Sequence, residues 1–322
     1  MIDFLNLPFF VVLLVLLSGI AFLFIGSEFL VRGASRTARR LGVNPIVVGL
    51  TVVAFATSMP ELLVSLLSAL KGSADISVGN IVGSNLANIG LVLGVAVMLR
   101  PILVQSRILK FELPVLLIIS LFFWLFSINR VISRKEGFLF LIFLFSYLYY
   151  ITKQASREAK KVREEYNGFV PVEGTFFGDF LLIIVGGALL FLGAEFTVNS
   201  AVEISRRAGI SQVFIGLSLV AVGTSLPEFA VSLVASIKKE GDISIGNVIG
   251  SNLMNTLGII GIVSFAKPLS VNPELVKVQI PLMILLTFLL FPFMFTGKKL
   301  GRLEGLILTF VYAAIIFHSF PR

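Results

Sequence analysis

The chain has 322 residues, 57% of them hydrophobic and only 14% charged, with a mean hydropathy of +1.01; this balance excludes an ordinary soluble domain and points to a membrane protein. No cysteine and a single histidine, His318, exclude disulfide frameworks and thiolate or histidine-rich metal and redox centres. The net charge of +8 is spread through short segments rather than gathered on one face, which argues against nucleic acid and leaves a lipid bilayer as the surroundings.

Ten apolar runs follow along the chain, each near the length that crosses about 30 Å of hydrocarbon. They fall near 8–27, 44–70, 76–99, 113–128, 137–151, 177–199, 211–237, 243–266, 278–296 and 304–319. The first has no basic residue ahead of its apolar core and reads as a retained span rather than a secretory signal. Counted over a ten-span model, the segments after spans one, three, five, seven and nine carry 17 Lys and Arg, and the opposite side, with both termini, carries 9. The richer side is expected to be cytoplasmic, which puts both termini outside.

The sequence repeats itself at an offset of 167. Residues 42–90 and 209–257 are identical at 23 of 49 positions without a gap, and Glu28 and Glu195 obey the same offset. Five spans per copy is an odd number, so the second copy must enter the bilayer from the opposite side. The expected fold is therefore all-α and polytopic: ten transmembrane helices as two inverted five-helix repeats. The first repeat spans 1–152 and the second 176–322. Between them, 153–175 is charged and reads as a solvated cytoplasmic loop.

Inside the second and seventh runs stand "ATSMPELL" and "GTSLPEFA". A carboxylate at the bilayer centre costs roughly 2.5–3.5 kcal/mol on insertion scales, so Glu61 and Glu228 need a compensating partner. No Lys or Arg shares their runs, and a cation is the natural candidate. Pro60 and Pro227 should break both helices and release carbonyls near Ala54–Ala56 and Ala221–Gly223. Thr57 and Ser58 lie four and three residues before Glu61, on its helical face. The following runs, "GNIVGSNLANIG" and "GNVIGSNLMNTLG", add Ser84 with Asn88 and Ser251 with Asn255. Every one of these groups offers oxygen, which hard cations such as calcium prefer.

Other features have plainer readings. Gly79 with Gly83, and Gly246 with Gly250, suit close helix packing. Glu28, beside Arg32, and Glu195 read as interfacial acids. Trp124, Tyr147, Tyr149 and Tyr150 read as an interfacial aromatic belt.

"GLTVVAFATSMPELLVS" with "GNIVGSNLANIG", and "GLSLVAVGTSLPEFAVS" with "GNVIGSNLMNTLG", resemble the two alpha repeats of sodium/calcium exchangers, in the calcium:cation antiporter superfamily, of the prokaryotic type with a short central loop. The resemblance implies a mid-membrane cluster of sites for Ca2+ and Na+ as transported ions, with no cofactor. Glu61 and Glu228 would be central ligands. Thr57, Ser58, Thr224, Ser225, Ser84 and Ser251 would add hydroxyls, Ala54 and Ala221 backbone oxygens, and Asn88 a side-chain amide. Asn255 stands where several relatives carry aspartate, which argues against potassium co-transport. The Thr-Ser-x-Pro-Glu motif favours sodium over the proton-coupled branch.

The function expected is Na+/Ca2+ antiport by alternating access, electrogenic and independent of K+, by a monomer in a prokaryotic cell membrane. A proton/calcium antiporter and a passive cation channel are the rivals. An enzyme is not expected, because no nucleophile with its base, phosphate loop or transition-metal cluster is found.

Overall fold

The computed structural model describes residues 8–166, 174–208, 223–295 and 297–319, and for 158–166 and 319 the backbone alone. The first helix, α1 (Phe9–Leu41), runs past the predicted end of its apolar run and is closed by Gly42, whose φ of 70° suits glycine. It continues through Arg32, Arg36, Arg39 and Arg40 because Gly33, Ala34 and Ala38 keep a small, buried face on that stretch. Asn44 caps α2 (Pro45–Thr57) by accepting from the Ile46 amide at 3.1 Å. At Ser58 the chain turns by 45° into α3 (Met59–Leu70), as the proline predicted. Pro60 sits in the first turn of α3, where its missing N–H costs nothing.

Then follow α4 (Ala74–Leu99), α5 (Ile108–Ser127), α6 (Arg134–Tyr166) and α7 (Phe176–Arg207). The chain ends with α8 (Leu226–Ile237), α9 (Gly241–Ala266), α10 (Leu275–Phe295) and α11 (Arg302–Ser319). Among the described residues, seven helices are long and apolar enough to cross a membrane, eight if the bent α2–α3 pair is one span. The first arm of the predicted break in the seventh run lies outside the described residues.

Burial separates centre from periphery. The apolar stretches of α4 and α9 are 78% and 89% buried, against 22% for α1 and 28% for α7. The central pair therefore meets protein on nearly every side, while the outer helices leave broad apolar faces for lipid. Two short antiparallel ladders staple the ends, β1 (Ile102–Leu103) with β4 (Lys299–Leu300) and β2 (Val131–Ile132) with β3 (Leu269–Ser270). Each takes one strand from either half of the sequence.

Helices α1 and α7 touch backbone to backbone. A Cβ on Gly19 would meet the Gly193 carbonyl at 3.0 Å, one on Gly26 the Gly186 carbonyl at 2.8 Å, and one on Gly33 the Asp179 carbonyl at 2.8 Å. Numbers rise along one helix as they fall along the other, so the two run antiparallel. Asp179, buried beneath them, accepts from Arg40 at 3.0 Å.

Two readings change here. The charged link is not a loop from Lys153: α6 continues to Tyr166, since "KQASREAKKVREEY" is rich in strong helix formers. Tyr147 does not belong to an interfacial belt, for it is buried and donates to Glu112 at 2.7 Å, while Trp124 donates inward to the Val276 carbonyl at 2.9 Å. Glu28 lies within α1 and pairs with Lys238 at 2.6 Å, both side chains partly exposed. Gly246 and Gly250 pack as expected, against Ile46–Leu50. The matching neighbours of Gly79 and Gly83, at 213–217, lie outside the described residues.

Candidate functional site

The bends before α3 and α8 place the two acids. Ser58 (φ −82°, ψ 7°) and Ser225 (φ −87°, ψ 6°) interrupt their helices in the same way. Glu61 and Glu228 then fall in the first turn of α3 and of α8, near the positive end of each helix dipole. Both are wholly buried.

The halves grip each other's acids. Ser58 Oγ donates to Glu228 Oε1 at 3.1 Å, and Ser225 Oγ donates to Glu61 Oε1 at 3.4 Å. Ser84 Oγ, from α4, also donates to Glu61 Oε1 at 3.3 Å and lies 3.4 Å from Thr224 Oγ1. The hydroxyls of Thr57 and Ser251 mirror that contact at 3.3 Å. One helical turn beyond Ser84 and Ser251, Asn88 and Asn255 stand at or beside the start of π-helical turns, Asn88–Leu93 and Met254–Ile259; such turns recur at functional sites.

Of the predicted site residues, the structure brings Glu61, Glu228, Thr57, Ser58, Thr224, Ser225, Ser84 and Ser251 into this one network. Asn88 and Asn255 are buried on the same central helices. Ala54 differs from the expectation: its carbonyl accepts from the Ser58 amide at 3.0 Å and is 3.3 Å from Thr57 Oγ1, so it is not released. The carbonyl that Pro60 cannot serve is that of Ala56, four residues back. Ala221 lies outside the described residues.

Four buried oxygens in this region have no donor: Glu61 Oε2, Glu228 Oε2, Asn88 Oδ1 and Asn255 Oδ1. All four accept only. They form two pairs, each related by the 167-residue offset. Leaving a buried acceptor unpaired costs about 1–3 kcal/mol, more for a charged one, and oxygens of this kind are what hard cations take. Among the described residues no three Asp, Glu, His or Cys side chains gather to hold a metal; the oxygens around the two acids come from neutral hydroxyls and amides.

Sequence reasoning missed four asparagines. Asn80 donates to Ser65 Oγ at 3.0 Å and to the Glu61 carbonyl at 3.4 Å; Asn247 does the same to Ser232 Oγ and the Glu228 carbonyl, at 3.0 and 3.4 Å. Asn85 and Asn252 contact Asn255 and Asn88 at 3.1 and 3.0 Å. The signal was present: all four keep the offset, inside the two quoted motifs.

Comparison with known proteins now gives the class. The whole chain superposes on the sodium-calcium exchanger NCX_Mj, in a form soaked with Na+ and Ca2+, with a TM-score of 0.83 and 32% identity, covering 97% of this chain and 99% of that one. The fold is thus that of a membrane ion exchanger, a transporter and not an enzyme. The family model "Sodium/calcium exchanger protein" matches residues 11–153 and again 178–320, at the same offset of 167. CaxA of Alkalimonas amylolytica is 36% identical over 313 residues, 94% of this chain and 98% of that one. The sodium/calcium exchanger MaX1 of Methanosarcina acetivorans is 34% identical over 338 residues, with 94% and 97% covered. The chain belongs to the sodium/calcium exchanger family.

Proposed function

We propose that this protein exchanges Na+ for Ca2+ across a prokaryotic cell membrane by alternating access, with both cations using the oxygens around Glu61 and Glu228. The observation that carries the reading is the set of four donorless, acceptor-only oxygens at the centre of the molecule. Thr57, Ser58, Ser84, Asn88, Thr224, Ser225, Ser251 and Asn255 complete the site, with the Ala56 carbonyl and backbone oxygen near Ala221 as a further source.

The architecture proposed is ten spans in two inverted five-helix repeats, 1–152 and 176–322, joined by 153–175. Three observations support it: the antiparallel seam of α1 with α7, the family model matching twice, and hydrogen bonds that recur at one offset between halves. The termini are assigned to the outside by the distribution of Lys and Arg, and the protein is taken as a monomer.

Exchange follows from charge. A loaded site neutralises two buried carboxylates; an empty one leaves them facing each other in a poorly polarisable interior, so reorientation without cargo is disfavoured. Asn255, neutral where some relatives carry aspartate, leaves the site with two formal negative charges and supports K+-independence. If three Na+ pass for each Ca2+, one charge crosses per cycle, worth about 2.3 kcal/mol per 100 mV.

Isotope-labelled calcium flux in proteoliposomes tests this, with sodium, potassium and proton gradients imposed one at a time. Uptake should follow the sodium gradient alone and respond to membrane potential. Uptake driven by a pH gradient without sodium would make the protein a proton/calcium antiporter, and flux without any counter-ion would make it a channel.

A further inference from the structure

The inner ring of site residues contains groups that can both give and take a hydrogen bond. An asparagine amide or a threonine hydroxyl serves a cation only if its proton points elsewhere. We propose that Asn80, Asn85, Asn247 and Asn252 form an outer ring whose carbonyl oxygens collect those protons and so turn the inner oxygens toward a bare metal cation. This rests on the reading of Asn88 and Asn255 as cation ligands.

The orientation of three of the four outer amides is fixed by a backbone carbonyl, and that of Asn85 is favoured by the Met283 sulfur, an acceptor 3.6 Å from its Nδ2. Asn252 Nδ2 lies 3.3 Å from the backbone carbonyl of Asn85, which can only accept. Its nitrogen must therefore face that carbonyl and its Oδ1 must face Asn88, whose Nδ2 donates to it at 3.0 Å. Asn88 has then committed its amide nitrogen, and its Oδ1 is left facing away, buried and without a donor.

The other half repeats the device. Asn85 Nδ2 donates to Thr256 Oγ1 at 3.1 Å, Asn85 Oδ1 accepts from Asn255 Nδ2 at 3.1 Å, and Asn255 Oδ1 is left donorless. Asn80 and Asn247 treat the threonines likewise. Each aims its nitrogen at a backbone carbonyl, of Glu61 or Glu228. Asn80 Oδ1 then accepts from Thr224 Oγ1 at 3.3 Å and Asn247 Oδ1 from Thr57 Oγ1 at 3.1 Å. The Ala54 carbonyl and Ser251 Oγ, each 3.3 Å from Thr57 Oγ1, are longer contacts than the 3.1 Å to Asn247.

Every one of these proton-accepting contacts crosses between halves. Asn80 and Asn85 belong to the first half and act on Thr224 and Asn255; Asn247 and Asn252 belong to the second and act on Thr57 and Asn88. The outer asparagines are positioning residues, and partners of this kind typically change metal affinity by about 10–100-fold when removed.

The test is a double-mutant cycle read by calorimetric titration of the purified full-length protein with calcium chloride. Asn252→Leu should weaken calcium binding by about tenfold or more. The loss should shrink to within about twofold in an Asn88→Ala background and persist in full with Asn255→Ala, whose own partner is Asn85. A merely structural role would cost the same in both backgrounds, and that result would overturn the proposal. So would an Asn252→Leu protein that binds like the parent while Asn88→Ala binds weakly; the cation site would then stand without its outer ring. If Asn88→Ala itself binds normally, the assignment of Asn88 fails first and takes the inference with it. Should Asn252→Leu not fold, Asn85→Leu against Asn255→Ala puts the same question to the other half.

Discussion

The seam between α1 and α7 and the polar centre between α3, α4, α8 and α9 are built from the same duplication, yet they differ in what they leave undone. At the seam, glycines at 19, 26, 33, 186 and 193 let two backbones meet, and among the described residues no buried carboxylate there lacks a partner, while the hydroxyls of Thr197 and Ser200, which have none, can give as well as take a hydrogen bond. At the centre, hydroxyls and amides satisfy one another across the halves until two carboxylate oxygens and two amide oxygens remain without donors. Close packing serves to hold; unsatisfied acceptors mark where something else must bind.

This contrast predicts that substitutions at the two regions fail in opposite ways. The largest effect belongs to Glu61→Gln and Glu228→Gln, each of which should cut sodium-driven calcium uptake by about a hundredfold or more, since a buried charge is lost from a paired site. Without cations these proteins should melt no lower than the parent, because a buried carboxylate is a liability until it is neutralised. A seam substitution such as Gly186→Leu should do the reverse. Its Cβ would meet the Leu30 amide nitrogen at 2.7 Å, costing about 1–3 kcal/mol of stability, while the folded fraction binds calcium with unchanged affinity.

Much of the centre was legible before any coordinates because its cost is visible in sequence. A glutamate between leucines, with a proline beside it and no cation in the run, demands explanation, and its recurrence at one offset removes chance. The outer asparagines were harder to see. An asparagine among serines and glycines on an interior helix carries no such penalty in isolation, and its value lies in a partner some 140 to 190 residues away. Helix ends were misjudged for a related reason. Arg32 to Arg40 look like the start of a loop, but small residues on the opposite face and the buried Asp179 keep α1 wound to Leu41. Charge beyond the apolar run likewise concealed that α6 continues to Tyr166. The release of the Ala54 carbonyl was expected from proline alone, without allowing for the Ser58 amide that takes it.

Smaller effects sharpen the comparison. Ser58→Ala and Ser225→Ala each remove one hydroxyl that reaches across to the other half's acid. Each should weaken calcium binding by about tenfold, in line with about 1.5–3 kcal/mol for a hydrogen bond to a charged group. The two losses should be similar in size; a loss confined to one would break the equivalence of the halves. Smallest is Asn255→Asp, which adds one negative charge without changing shape. It should shift the ratio of sodium to calcium affinity by a few-fold, following the greater sensitivity of a divalent ion to added charge, and leave folding intact. Paired sodium and calcium titrations with a thermal melt would check it.

The central claim is that a cation lies between the two halves, on both acids at once. Anomalous diffraction from crystals grown with calcium tests it most directly. The account predicts a peak between α3 and α8 within about 2.3–2.6 Å of an oxygen of Glu61 and an oxygen of Glu228. A calcium ion bound to only one of them, or seated instead beside the interfacial Glu28, would contradict it.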